Sequence, residues 1–522
     1  MKLLRNNYFL CFLSALFGIL SFPVAFFSHE LFHTVAVEFF AFFFLLPFFR
    51  VIKNQSPRRS FTYGIIMGMF LYTGTLFWIT IAMNYFGGLT LLVSFSLMLL
   101  LCFYVALYVG VFAYSIRSLE KKLNVPCYYF APFVWTILEY ARTYVITGFP
   151  WCNIAYSQYL NLGFIQILDA VGIYGIVFVI ILINSALYMF IDISFIQKQK
   201  LNRFQKSYLV AAFIIVCSFY FYGYQKLSHP ITGQKLDIAV VQGNIAQDIK
   251  WDEADARRII NIHKNLTYKA LEKKRYDLII WPETALPWTL ASDETHMPDW
   301  MHIEKSFSTP LLAGALTRDK KSNYEKLNNS ALLFSPEFMI IERYSKVHLV
   351  PFGEYVPLTA YLELGTLVAQ SGAFSSGEGF NLISLGDKKF GTFICFESIF
   401  PDIGRAFKKN GADFLVELTN DAWFERTSAL YQHLSMAVFR AVEMRLPLVR
   451  STNTGISAFI NRNGKIESAP EAFTAVALDG SIMLQKTETI YERYGDWFFW
   501  LQCFVFVTLI IYLIIKRKYA IQ

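Results

Sequence analysis

Charged residues are scarce in this chain of 522 residues: they make up 16% of it, against roughly 25% in soluble domains. Hydrophobic residues make up 55%, and the mean hydropathy is +0.40. These values exclude an ordinary soluble protein over the whole length, because a helix that crosses a bilayer needs about 20 mainly apolar residues. Eight stretches meet that requirement, and we predict them as membrane spans: 8–28, 32–51, 61–83, 88–115, 127–146, 164–191, 207–225 and 497–515.

Lysine and arginine are absent from every second loop between these spans, at 29–31, 84–87 and 147–163. The other loops and the C-terminal segment carry sixteen of them: Lys2, Arg5, Arg50, Lys53, Arg58, Arg59, Arg117, Lys121, Lys122, Lys198, Lys200, Arg203, Lys206, Lys516, Arg517 and Lys518. Because basic loops stay in the cytoplasm, this predicts cytoplasmic N- and C-termini and an extracytoplasmic stretch 228–494. The net charge of +8 is then mostly a topology signal and gives no reason to expect a nucleic-acid partner.

The polar stretch 228–494 contains strand-like and helical patterns in alternation, which is typical of a layered α/β domain. The predicted strands are 236–242, 276–283, 310–316, 330–335, 389–397, 413–418 and 447–453, followed by a hairpin at 457–466. Helices are expected at 252–273 and 427–446. The predicted domains are therefore a transmembrane domain at 1–227, this catalytic domain at 228–494, and a transmembrane helix with a basic tail at 495–522.

The polar stretch has little cysteine: Cys395 is the only one of the seven within it. It cannot form a disulfide inside that stretch. The thiol is either a small buried hydrophobic group or a reactive one, and composition leaves both open. Cys395 follows a predicted strand and precedes a helix, which is where nucleophile elbows occur.

A cysteine nucleophile needs a base to remove its proton and a positive group for the oxyanion. Glu283 ends the predicted strand that reads LIIWPE, and Lys346 lies in SKVHLVPFGEYVP, eight residues before Glu354. His433 and His348 are the alternatives for a Cys–His dyad, although we expect His433 to pack within its helix. We find no zinc spacing, phosphate-binding glycine loop or nucleotide fingerprint, so no cofactor or metal is expected.

Three blocks resemble the catalytic blocks of the nitrilase superfamily in the same order: WPETALP at 281–287, SKVHLVPFGEYVP at 345–357 and CFES at 395–398. The eight spans and three further blocks make the chain similar to the apolipoprotein N-acyltransferase family of Gram-negative bacteria: GFPW at 148–151, VQGNIAQ at 241–247 and NDAWF at 420–424. The resemblance implies a multi-span α-helical membrane domain of about eight helices joined to a nitrilase-like αββα sandwich.

Residue roles follow from the resemblance. It implies that Glu283 is the general base, Lys346 the cation at the oxyanion, and Cys395 the nucleophile that carries the acyl chain as a thioester. Glu354 matches the glutamate that orients the lysine, and Glu397 matches a Cys-x-Glu position that supports substrate handling.

Substrate-binding positions implied in the same way are Trp251, Asn329 and Trp423. Asn328 stands beside Asn329, so the register of that match is open. Phe396 follows the nucleophile at a position where tyrosine is also expected in this family. Phenylalanine keeps the ring of tyrosine but lacks its hydroxyl, which puts any role for a hydroxyl at this position in doubt.

The reaction implied is transfer of an acyl chain from a phospholipid to the α-amino group of a diacylglyceryl-cysteine at the N-terminus of an apolipoprotein. The implied setting is the bacterial inner membrane, with the catalytic domain in the periplasm and the chain as a monomer. Two alternatives stay open: a membrane-tethered amidase with the same triad, and a transporter or scaffold with a non-catalytic domain. Ionisable residues in predicted spans, namely Glu139, Arg142 and Asp169, are expected to serve structure or lipid headgroups rather than catalysis.

Overall fold

The computed structural model describes residues 6–23, 37–247, 249–250, 254–291, 307–319, 326–355 and 374–521. It divides into two compact units. The first unit comprises Met1–Ser228, Arg426–Ser435 and Tyr494–Gln522, and the second comprises His229–Glu425 and Met436–Arg493. Residues 426–435, which we predicted within the polar domain, thus group with the apolar helices.

The described part of the first unit consists of helices and connecting loops. Its helices before residue 229 are α1 Asn7–Leu20, α2 Leu45–Ile52, α3 Pro57–Leu76, α4 Trp78–Tyr85, α5 Leu91–Leu123, α6 Ala131–Tyr144, α7 Leu162–Ile165, α8 Leu168–Ile191 and α9 Arg203–Ser228. Four helices in the described residues are long and apolar enough to cross a membrane: Leu91–Leu123, Leu168–Ile196, Arg203–Ser228 and Trp497–Tyr519. A fifth is possible if α3 and α4, bent by 52° relative to each other, count as one span.

The eight predicted spans are therefore only partly matched. Helices α1 and α6 are 14 residues each, which is shorter than the predicted stretches 8–28 and 127–146. Residues 32–36 of the predicted span 32–51 lie outside the described residues, and its described part contains a 3-10 helix, Val37–Phe42, and most of α2. A count of eight stays a prediction.

A buried ion pair joins Glu139 and Arg142, one helical turn apart on α6. The Arg142 guanidinium is 1% exposed and also donates to the carbonyls of Phe149 and Trp151, at 3.0 and 2.6 Å. Asn153 donates to the Glu139 carboxylate at 3.1 Å. These bonds tie the loop after α6 to the helix.

Asp169, at the start of α8, is also paired. Its carboxylate accepts a hydrogen bond from the Tyr222 hydroxyl at 2.7 Å and lies 3.1 Å from the ammonium group of Lys226. Both partners are on α9. This carboxylate therefore links two long helices of the first unit.

The second unit contains two β-sheets. Its strands are β1 Gln234–Gln242, β2 Leu278–Ile280, β3 Thr289–Ala291, β4 Leu311–Arg318, β5 Leu327–Phe334, β6 Ile340–Ser345, β7 Ile383–Leu385, β8 Lys388–Ile394, β9 Phe414–Thr419, β10 Leu448–Thr452, β11 Ala458–Ile460, β12 Ile466–Ser468 and β13 Val476–Leu484. The first sheet has the order β13-β1-β2-β4-β5-β6, with β3 beside β4, and the second has the order β12-β11-β10-β9-β8-β7.

Helices cover the outer faces of the two sheets, and the inner faces meet. Helix α10, Ala256–Leu271, packs on β1 and β13, and its Ile260 and Leu266 join the core of the first sheet. Helix α11, Pro401–Lys409, packs on β8, where Phe407 contacts Phe393 edge to face at 5.2 Å. Contacts of β1 with β10 and of β5 with β8 join the sheets. This helix–sheet–sheet–helix layering is the predicted αββα sandwich.

The remaining helices are α12 Ala429–Met444, α13 Ile490–Tyr494 and α14 Trp497–Ile521. Strands β1, β2 and β4 run parallel, and so do β8, β9 and β10. Parallel strands end at a common edge, so residues that follow them in sequence are brought together.

Candidate active site

Cys395 follows directly on β8 and begins a short 3-10 helix, Cys395–Ile399. Its φ is +52°, in the left-handed region that non-glycine residues rarely adopt. Burial and the Glu283 carboxylate raise the pKa of the Cys395 thiol, whereas Lys346 acts to lower it. The strained turn and these two charges are the features of an activated nucleophile site.

Glu283 follows β2 and is held at both carboxylate oxygens. Its Oε1 accepts from Nδ2 of Asn329 at 2.6 Å, and its Oε2 accepts from the backbone N–H of Asn420 at 2.7 Å. The side chain is 7% exposed. Burial raises the pKa of Glu283, which Lys346 opposes, and an acid with a raised pKa is suited to receive a proton near neutral pH.

Lys346 follows β6 and is 1% exposed. Its Nζ donates to Oε1 of Glu354 at 2.8 Å. Burial alone would lower the pKa of Lys346, but the Glu354, Cys395 and Glu283 charges raise it above its ordinary value, so the ammonium group stays charged. The second oxygen of Glu354 accepts from the backbone N–H of Val350 at 2.8 Å, which fixes the carboxylate that orients the lysine.

Asn329, rather than Asn328, faces the site. The Asn329 amide donates to Glu283 and, more weakly at 3.4 Å, to Glu354. The Asn328 amide instead donates to the carbonyl of Ser375 at 2.9 Å. Of the two neighbours, Asn329 is therefore the one that contacts the site, and its substrate-binding role stays a prediction.

Glu397 is buried beneath the nucleophile rather than open to a substrate. Its Oε1 accepts from the Tyr344 hydroxyl and from the N–H groups of Val347 and His348, at 2.8, 2.7 and 3.1 Å. Its Oε2 accepts from the N–H of Ile394 at 2.8 Å. Burial raises the pKa of Glu397 to about 7. The contacts connect the loop that carries the lysine to the strand that carries the cysteine.

The two histidines considered for a Cys–His dyad contact aromatic rings. The His348 ring packs against Phe400, with ring centroids 3.9 Å apart and planes tilted by 33°, and Phe400 meets Phe396 edge to face at 5.4 Å. His433 is buried in the first unit and stacks on Trp151 at 5.6 Å, consistent with the packing role that we expected.

The aromatic substrate-binding predictions have different outcomes. Trp423 lies in a short 3-10 helix, Asp421–Phe424, and is 37% exposed. Trp251 lies outside the described residues. Phe396 is buried at 8% exposure, and its ring packs against Phe400.

Two neighbours of Glu283 were missed in the sequence. Lys250 is 2% exposed, and its Nζ donates to the backbone carbonyl of Glu283 at 3.1 Å. Burial lowers the pKa of Lys250 to about 8. Asn420 follows β9 directly, so the reasoning from strand ends that found Glu283 also applies to it. Lys250 follows no strand and carries no such signal.

The described residues contain no cluster of three or more histidine, cysteine, aspartate or glutamate side chains arranged to hold a metal ion. A base, a cation and a thiol at one edge of two sheets are equipped for acyl transfer through a covalent intermediate.

Such a site in an αββα sandwich defines a carbon–nitrogen hydrolase domain, and residues 237–491 match the carbon–nitrogen hydrolase family model. Residues 11–186 match the model of the apolipoprotein N-acyltransferase N-terminal domain. The chain belongs to the apolipoprotein N-acyltransferase family.

Curated relatives share both parts. A Geobacter metallireducens apolipoprotein N-acyltransferase is 36% identical, covering 98% of this chain and 96% of its own. The Haemophilus influenzae enzyme of that name is 32% identical, covering 87% and 86%. Apolipoprotein N-acyltransferase 1 of Treponema denticola is 29% identical, covering 99% of each.

Two solved structures that resemble the chain each cover about half of it. A carbon–nitrogen hydrolase from Helicobacter pylori covers 50% of this chain and 94% of its own, at 17% identity and a TM-score of 0.36. A Nesterenkonia amidase of the nitrilase superfamily covers 51% and 95%, at 16% identity and a TM-score of 0.35. The assignment therefore depends on the family models and the curated relatives.

Proposed function

We propose that this chain is an N-acyltransferase that moves an acyl chain from a membrane phospholipid to the α-amino group of a diacylglyceryl-cysteine at an apolipoprotein N-terminus. The single observation that carries the proposal is the placement of buried Glu283 and Lys346 beside the half-buried Cys395 in a chain of this family. The names of the relatives support the acceptor, and the long apolar helices support a lipid donor.

In the first half-reaction, Glu283 takes the proton of the Cys395 thiol. The sulfur attacks the carbonyl carbon of a phospholipid ester, and the negative charge that develops on the carbonyl oxygen is stabilised by the Lys346 ammonium group. The carbon–oxygen bond breaks. The lysophospholipid leaves as an alcohol with the proton from Glu283, and the acyl chain stays on Cys395 as a thioester.

In the second half-reaction, the neutral α-amine of the acceptor attacks the thioester carbonyl. Glu283 accepts a proton from the nitrogen, and Lys346 again stabilises the oxyanion. The carbon–sulfur bond breaks, which leaves an amide on the acceptor, and the departing sulfur recovers the proton from Glu283. Water must be excluded between the two steps, because it would hydrolyse the thioester.

A membrane position favours this reaction, since donor and acceptor both carry acyl chains and meet by lateral diffusion at a high effective concentration. The sixteen basic residues of alternate loops support an inner-membrane topology with the catalytic unit in the periplasm and both termini in the cytoplasm. The proposal needs one copy of the chain, no cofactor and no nucleic acid.

The test uses the purified full chain in detergent with one defined phospholipid and no acceptor, followed by intact mass measurement. We expect a mass increase of one acyl chain that neutral hydroxylamine removes and that Cys395→Ala abolishes. Cys217→Ala is the matched control, since Cys217 is an exposed thiol of the first unit, and it should keep the adduct. Adding a diacylglyceryl-cysteine peptide should discharge the adduct as an amide.

The main alternative is a membrane-tethered amidase. Folded protein that forms no acyl adduct from phospholipid, but turns over small amides with dependence on Cys395, would replace the proposal with that alternative. Normal acyl transfer by folded Cys395→Ala would contradict both.

A further inference from the structure

Glu283 lies in a strained turn that follows β2. The next residue, Thr284, has a φ of +48°, in the left-handed region that β-branched side chains rarely adopt. Gly314 of β4 approaches this turn closely, because a Cβ at Gly314 would lie 2.6 Å from the Cα of Glu283 and 2.5 Å from the backbone N of Thr284. The peptide group between Glu283 and Thr284 is therefore held in an orientation that the local sequence does not favour.

Lys250 binds the carbonyl of this same peptide group. Its Nζ donates to the carbonyl oxygen of Glu283 at 3.1 Å. Lys250 is 2% exposed and Glu283 is 7% exposed, so the contact is shielded from water. A neutral N–H donor would satisfy a carbonyl at a lower desolvation cost than an ammonium group does. The use of a buried positive charge at this point therefore directs attention to the Glu283 carboxylate.

We propose that Lys250 is a positioning residue for the catalytic base. Its hydrogen bond fixes the strained Glu283–Thr284 turn, and its positive charge keeps the Glu283 carboxylate ionised inside the protein. Lys250 acts through Glu283 and needs no contact with a substrate. The inference deepens the proposed function and rests on it, because it assumes that Glu283 takes the proton of Cys395.

The charged groups that face Glu283 agree with this role. Burial raises the pKa of Glu283, Lys346 lowers it, Glu354 raises it, and Lys250 lowers it. The Cys395 thiol also faces this carboxylate. Lys346 is already paired with Glu354 at 2.8 Å, so Lys250 supplies the positive charge that balances Glu283 itself.

The groups that face Lys250 are Glu283 and His263. Burial, with a smaller effect of the Lys250 charge, lowers the pKa of His263 to about 4, so this imidazole is neutral at neutral pH. Burial lowers the pKa of Lys250 to about 8. The ammonium group therefore keeps its proton across the pH range in which a carboxyl base becomes ionised.

The test measures the pH profile of Cys395 acylation by intact mass, in single turnovers of the full chain in detergent between pH 5 and 9. The acyl donors are one defined phospholipid and, in parallel, the p-nitrophenyl ester of a short fatty acid, with Cys395→Ala as the blank. Lys250→Gln keeps an N–H donor but removes the charge. We expect its acylation to be roughly tenfold slower than that of the wild type at the acid end, with the difference closing toward the alkaline end.

Two further variants identify the charge as the cause. Lys250→Arg keeps the charge and should keep the midpoint of the wild-type pH profile. Lys465→Gln makes the same chemical change as Lys250→Gln at an exposed lysine between β11 and β12, and it should leave the profile unaltered.

Folded Lys250→Gln with the wild-type midpoint overturns the inference, since the lysine would then serve only as a hydrogen-bond donor. A folded Lys250→Arg that shifts as far as Lys250→Gln overturns it as well. If Lys250→Gln does not fold, Lys250→Met takes its place. Failure of both to fold, while Lys465→Gln folds, would assign Lys250 to the stability of the second unit and overturn the inference.

The two donors separate this inference from the proposed function. The p-nitrophenyl ester requires Cys395 and its base but no phospholipid. A shifted profile of Lys250→Gln with this ester, together with no phospholipid adduct in the wild type, would refute the proposed function and leave the role of Lys250 standing. A phospholipid adduct in the wild type, with the same profile in Lys250→Gln, would do the reverse.

Discussion

The buried carboxylate of Glu397 offers a sharp test of how the site is assembled. In Glu397→Gln, the amide oxygen can keep the three donors at the Oε1 position, namely Tyr344, Val347 and His348. The amide nitrogen then faces the N–H of Ile394, which loses its acceptor. A buried N–H without a partner costs about 1–3 kcal/mol.

This cost bears on the chemistry because Ile394 and Val347 adjoin the nucleophile and the catalytic lysine in sequence. If this cost is added to the activation free energy of thioester formation, the rate of that step falls roughly fivefold to a hundredfold. The acceptor KM should not change, since Glu397 has 0% exposure and all four of its described donors belong to the protein. Single-turnover thioester formation and steady-state acceptor titration measure the two quantities separately.

Glu337→Gln is the control, because it makes the same chemical change at an exposed position near β6 and should leave both quantities unaltered. A raised acceptor KM with a normal acylation rate in Glu397→Gln would refute this reasoning. It would restore the substrate-handling role that the resemblance implies for the Cys-x-Glu position.

Asn329→Ala removes a hydrogen bond that lowers the pKa of Glu283, so the pKa of this carboxyl should rise. Because Glu283 must be ionised to act as the base, the acylation rate should then begin to increase at a higher pH than in the wild type. Thioester formation between pH 5 and 9 measures this shift. Lys346→Met should slow acylation by roughly a hundredfold to a thousandfold, through loss of the oxyanion cation, and a normal single-turnover rate would argue against that role. Arg142→Leu leaves the Glu139 carboxylate buried without its partner and should destabilise the first unit by about 3–5 kcal/mol. Thermal unfolding in detergent should show a partial recovery in the Glu139→Gln, Arg142→Leu double variant, and equal melting of the single and double variants would refute the pairing argument.

The interior strands of the catalytic unit could be predicted from local sequence, because apolar runs mark them. The predicted strands 236–242, 330–335 and 413–418 correspond to β1, β5 and β9. Strand β13 was missed, since its apolar residues are interrupted by Asp479 and Gly480. It is defined instead by antiparallel pairing with β1, more than two hundred residues away in sequence.

The helical unit was less predictable, because span length depends on packing as well as on hydropathy. The predicted span 61–83 is two helices with a 52° bend between them. The stretch 127–146 begins with a 3-10 turn, Cys127–Tyr129, and its helix ends at Tyr144, where Val145 becomes extended. A hydropathy pattern contains no information about either break.

Glu283 and Cys395 could be proposed from the sequence because each lies at the end of a predicted strand, whereas the role of Lys346 was implied by the resemblance. The groups around them were less visible, because a side chain such as Lys250 has its effect through burial and distance. A lysine in a sequence is normally a solvated surface charge. Only the fold shows that Lys250 is 2% exposed.

Burying four charged groups together is compatible with catalysis because the charges balance. Glu283 and Glu354 carry two negative charges, and Lys346 and Lys250 carry two positive ones. Moving the proton from Cys395 to Glu283 transfers a negative charge within this cluster and leaves its total unchanged. An uncharged ester can therefore bind and react without any ion entering or leaving the buried site. A carboxylate base suits this better than a neutral histidine, since without the charge of Glu283 the two lysines would face only Glu354 and the buried cluster would carry a net positive charge.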